Sequence, residues 1–179
     1  MRLDMNLPVV AFTLFAAALL QDMIPATPAL PVKIGFLTAV ALYHMLTKPV
    51  LVALTALVWA GGVTDALGGL PVFCTVSFLL AAYGVVRLLK RMFLEATLVQ
   101  GTLLVACAAV VQTLWTRAWL GLPEPASVWH ALVAAGYAVP AGLVAGCAGF
   151  AVCGLTDRVS GNKKPVKEAN GILWAETDR

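Results

Sequence analysis

Residues 61–73 read GGVTDALGGLPVF, and this stretch decides the fold because it sets a carboxylate, Asp65, between two apolar runs. Upstream, residues 49–64 carry no charged side chain, and downstream, residues 70–86 carry none. Each run approaches the roughly 20 residues that a helix needs to cross the hydrocarbon of a bilayer. An ionisable group at that depth costs roughly 2.5–3.5 kcal/mol even on the lenient insertion scale, so Asp65 requires a structural or functional reason.

The composition identifies the medium. Of 179 residues, 61% are hydrophobic and 12% charged, and the mean hydropathy is +0.91. Soluble domains are only about half apolar, so the chain reads as an all-α, polytopic membrane protein. No polar block is large enough to fold as a second unit, which leaves one membrane domain over residues 1–155 and a polar tail over 156–179, expected to be disordered. A formal charge of +3 is too small, and its basic residues too scattered, for a nucleic-acid partner.

Six apolar runs are candidate spans: residues 7–24, 32–47, 49–65, 70–86, 92–115 and 126–155. The first is closed by IPATPALP, whose prolines cannot continue a helix. Lys48-Pro49 ends the second and starts the third, proline being favoured in a first helical turn. The sixth exceeds the bilayer at about 1.5 Å per residue, and Pro140 is expected to kink or tilt it.

With a cytoplasmic amino terminus, the inner side would hold Arg2, Lys48, Arg87, Lys90, Arg91, Arg158, Lys163, Lys164, Lys167 and Arg179. The outer side would hold only Lys33 and Arg117. The positive-inside rule therefore places both termini in the cytoplasm, and Trp115, Trp119 and Trp129 fit the outer interface. A cleaved signal sequence is the weaker reading of the first run, since no small-x-small site follows it.

Candidates for chemistry are few. Cys74, Cys107, Cys147 and Cys153 lie in apolar runs without C-x-x-C spacing and read as packing residues. His44 and His130 sit near opposite interfaces, where both are expected to face headgroups or water; neither has the companions of a zinc site. Gln100 and Gln112 read as interhelical glue worth about 1 kcal/mol each. No catalytic triad, phosphate loop, carboxylate pair or cofactor motif is present, so neither an enzyme nor a cofactor is expected. Gly142, Gly146 and Gly149 form a face that lets another backbone approach, most simply within the chain, with a homodimer left open. In the tail, the lysines can hold anionic lipid, and Ile172-Leu173-Trp174 is a candidate short motif.

At about 1.5 Å per residue, Asp65 lies about 22 Å along the third run, towards the outer side. Gly68, Gly69 and Pro71 imply a break there, with backbone donors that the carboxylate can cap.

These residues resemble the family of rod shape-determining protein MreD. Its third span ends in a glycine, an aspartate and a Gly-x-Pro turn, matched by Gly61, Asp65, Gly69 and Pro71. Tyr43 with Lys48-Pro49, and Tyr83-Gly84 followed by Arg87, Lys90 and Arg91, extend the likeness over about residues 7–120. Two positions depart from it: Phe73, where a second glycine is usual, and Gly68, where serine is common. The resemblance implies a non-catalytic inner-membrane subunit of the bacterial elongation machinery, acting in rod-shape determination and peptidoglycan synthesis. Its implied partners are MreC, the actin-like MreB, the RodA glycosyltransferase and a class B penicillin-binding transpeptidase. It also implies a fold similar to the substrate-binding subunits of energy-coupling-factor transporters. That supplies a second hypothesis, a vitamin-binding transport subunit, which predicts an outward pocket with convergent polar groups. A third, a lipid-handling enzyme using Asp65, lacks a second catalytic group.

Overall fold

The computed structural model describes residues 6–24, 34–92, 97–121 and 125–160. Its elements are six helices: α1 (Asn6–Met23), α2 (Phe36–Thr47), α3 (Val50–Gly68), α4 (Cys74–Met92), α5 (Leu98–Trp119) and α6 (Pro125–Val159). No strand occurs among the described residues. Three helical stretches, Val50–Gly68, Leu98–Trp119 and Leu132–Val159, are long and apolar enough to cross a membrane. α1 and α2 are shorter apolar helices, and α4 ends in Arg87, Lys90 and Arg91.

α2 is the axis of the bundle and touches each of the other five helices. Residues 36–46 are all buried, so this short element, about 18 Å long at 1.5 Å per residue, is covered on every side. Leu37, Leu42, Tyr43 and Met45 form the middle of the core with Leu57 of α3 and Leu79 of α4. The outer surface is apolar instead: Phe12, Phe15, Leu51, Val99 and Leu103 are exposed. Such a surface would be an aggregation liability in water, whereas lipid tails cover it at no cost. Helix association in that setting relies on close packing.

Several boundaries differ from the sequence-based expectation. α3 does not fade at Asp65 but continues to Gly68, because Gly69 supplies the left-handed conformation, φ 60°, that ends it. α6 runs as one helix through Pro140. It also extends to Val159, so the first residues expected in the tail are helical and Asp157 belongs to the bundle. The motif Ile172-Leu173-Trp174, the prolines of residues 25–31 and Lys33 lie outside the described residues.

Candidate functional site

The α3–α4 turn is built from both of its helix ends. Leu70 N–H donates to Asp65 C=O at 2.9 Å and Gly69 N–H to Ala66 C=O at 3.4 Å, the paired closing bonds of a glycine-terminated helix. Ser77 N–H donates to Phe73 C=O at 2.9 Å, which makes Phe73 the residue that opens α4. A phenylalanine has no acceptor with which to cap the new helix. Asp65 provides it from the preceding one, since Thr75 N–H donates to Asp65 Oδ1 at 2.8 Å. The carboxylate oxygen thus meets the positive end of the α4 dipole. The expectation that Asp65 caps backbone donors at the break is met: it lies in the last turns of α3, and the orphan donor it serves belongs to α4.

Asp65 is 4% exposed, and its Oδ2 and the neighbouring Thr75 Oγ1 have no hydrogen-bond partner. Gly61 brings the two helices close enough for this bond. A Cβ there would lie 2.8 Å from Val76 Cγ2 and 2.9 Å from Val76 Cα. Pro71 starts the short bridge, and Cys74 N–H returns to its carbonyl at 3.1 Å. The structure thus gathers Gly61, Asp65, Gly69 and Pro71 into one unit. Next to them Val72 and Phe73 are 76% and 64% exposed, and Phe73 has φ 69°, a conformation that costs a bulky residue about 1–2 kcal/mol.

Gly142, Gly146 and Gly149 face inward. A Cβ at Gly142 would meet Ala106 Cα at 2.7 Å, and one at Gly146 would meet Thr102 Cα at 2.9 Å, so both serve the α5–α6 contact. One at Gly149 would meet Ala39 Cβ of α2 at 3.0 Å.

At the other end of the bundle lies a group that the sequence did not reveal. Asp157 Oδ1 accepts from Lys48 Nζ at 2.7 Å and Oδ2 from Tyr43 Oη at 2.8 Å. The Lys48 and Asp157 side chains are 5% and 8% exposed. Tyr43 also packs edge-on against Phe150 and His44. His44, expected at a wet interface, is 1% exposed because α2 is wrapped on all sides, and its Nε2 lies 2.9 Å from Thr13 Oγ1. Close by, Lys90 Nζ donates to the Leu46 carbonyl at 2.7 Å, and Arg87 Nε donates to Tyr83 Oη at 2.9 Å. A signal existed in the opposite charges of Lys48 and Asp157 beside two span ends, but nothing in one sequence pairs residues so far apart. The cysteines are free, Cys74 and Cys153 buried and Cys107 and Cys147 exposed. Among the described residues no cluster of three or more histidine, cysteine or acidic side chains could hold a metal.

A cavity of about 460 Å³ opens at the Asp65 end among α1, α2, α3, α5 and α6. Gln21, Thr38, Thr64, Gln112, Thr116 and Arg117 contribute polar groups to it. Gln112 is interhelical glue as expected, its Oε1 accepting from Thr38 Oγ1 at 3.0 Å. Gln21 Oε1 likewise accepts from Leu37 N–H at 3.1 Å, at the start of α2. A second, almost wholly apolar hollow of about 320 Å³ lies between α1 and α3, against Leu14, Phe15 and Trp59.

The fold and these sites define the class: an all-α protein with an apolar exterior and helices suited to crossing a membrane. No protein-family model matches the sequence, and none of the curated proteins or solved structures matches it.

Proposed function

We infer that the chain is a non-catalytic membrane subunit of the bacterial elongation complex, and that the α3–α4 turn is a surface on which MreC docks. The observation that carries this reading is the turn itself. Two exposed apolar side chains, Val72 and Phe73, project from a loop held at both ends by Asp65 and Gly69. Rigid presentation of an aromatic lowers the entropy cost of association. The left-handed φ at Phe73 is the backbone that glycine, usual at this position in the MreD family, would adopt without strain, so the aromatic is this chain's own addition to the turn and would suit its own partner. The resemblance to that family gains weight from Tyr43 and Lys48, which converge on one carboxylate. In this reading the turn faces the periplasm and the Lys48 end the cytoplasm, where MreB lies. The apolar hollow between α1 and α3 suits a membrane helix of a partner such as MreC, RodA or the transpeptidase.

Co-purification from detergent-solubilised membranes tests the role of the turn. Asp65→Ala removes the α4 cap, and Gly69→Val forces a β-branched residue into a left-handed conformation. Both variants are expected to retain less MreC than the wild type. Undiminished recovery with both contradicts the proposal.

The cavity beside the turn favours a second reading, a small-molecule-binding subunit of a membrane transporter. Its volume falls within the roughly 300–1,000 Å³ usual for ligand sites. Uptake that depends on an ATPase partner would separate this role from assembly.

A further inference from the structure

We propose that the cavity at the Asp65 end binds a small organic anion that also carries hydroxyl or amide N–H groups. This deepens the small-molecule reading and rests on the cavity being a ligand site; no transport step is assumed. Arg117 is the one charged side chain among the described lining residues, and none of those residues is acidic. A guanidinium keeps its charge at any accessible pH and offers a planar fork of donors matched to carboxylate or phosphate. α2 begins at the same cavity, with Gly35 and Thr38 in its lining, so the positive end of that helix adds to the field.

The threonines set the second requirement. Thr64, Thr113 and Thr116 donate their hydroxyl protons to the carbonyls four residues back, at 2.8, 2.8 and 2.9 Å. Thr38 donates to Gln112 Oε1. With their protons engaged, these hydroxyls have lone pairs left to offer a guest, so the favoured guest brings donors as well as charge. Leu70, Ala109 and Ala141 supply apolar wall between the polar groups, which suits a compact carbon body. The shared chemistry has two sources, the headgroup of a phosphatidylglycerol in the bilayer and a soluble hydroxy- or amido-carboxylate.

Thermal unfolding of the full chain in phosphatidylcholine nanodiscs tests the assignment. The probes are glycerophosphoglycerol and pantothenate, read against glycerophosphocholine and the uncharged alcohol panthenol. At tenfold excess over the dissociation constant, a bound anion should raise Tm by about 4 °C. A rise with glycerophosphoglycerol alone assigns the lipid source, and a rise with pantothenate assigns the soluble one; either supports the proposal. Arg117→Gln should abolish the shift. Thr113→Val keeps the shape of the side chain and should weaken the response several-fold while leaving the unliganded protein folded. If panthenol stabilises as well as pantothenate and Arg117→Gln changes nothing, the anion assignment is overturned while the small-molecule reading survives. If the anions still bind but Thr113→Val responds like the wild type, the donor requirement is overturned. If none of the four probes shifts the wild type, both are overturned.

Discussion

Asp65 and Asp157 are both buried, and both are held for structural reasons that differ in kind. Asp65 meets a backbone donor at a helix start, whereas Asp157 meets a full positive charge and a phenol. Removing one member of a buried ion pair strands the other, at a cost of about 3–5 kcal/mol, whereas replacing both with apolar side chains is often tolerated. Lys48→Met and Asp157→Leu, made singly, should each lower the melting temperature strongly. Combining the two with Tyr43→Phe, which releases the phenol, should recover much of the loss. Fluorescence-monitored melting in detergent checks this, and additive losses would mean that the pair does not act as a unit. Asp65 was conspicuous in the sequence because it interrupts apolar runs. Its partner was not, since a cap donated across a turn by the preceding helix leaves no local signature at Phe73. Asp157 was hidden for another reason: it follows the end of an apolar run, where an acidic residue normally signals water.

Among the elements, α2 and α6 show how far periodicity carries. Both are apolar nearly all round, so the sequence places them in a membrane or a core without saying which face meets which neighbour. The glycines of α6 did point to a close contact, and the structure places that contact on α5 and α2 within the chain. Gly142→Val and Gly146→Val would drive a side chain into the α5 backbone, and overpacking of this kind costs about 1–3 kcal/mol each. Gly154→Ala, with nothing within 4 Å of the added Cβ, should be neutral or stabilising by up to about 1 kcal/mol. Melting temperatures for the three variants check the contrast. Equal losses at all three positions would remove the distinction between the packed and open glycines. The length of α6 was underestimated because Thr156 and Asp157 looked polar enough to leave the membrane.

Across the described molecule, five helices surround a short buried one with polar groups concentrated at two ends, a locked ion pair at one and a polar cavity with a tightly bonded turn at the other. This division was only half legible in the sequence. Apolar runs and basic clusters indicated helices and an orientation, but the cavity collects Gln21, Thr38, Gln112 and Arg117 from three helices, and only tertiary packing brings them together. If the turn presents an aromatic for a partner to read, as we propose, Phe73→Gly separates that role from folding. Glycine relieves the left-handed backbone, so the variant should melt at the wild-type temperature or higher. Its affinity for the proposed partner MreC, measured with both proteins in nanodiscs, should fall at least about tenfold, a loss of about 1.4 kcal/mol. A stable Phe73→Gly variant that binds MreC as tightly as the wild type would show that the exposed aromatic is not what the partner reads.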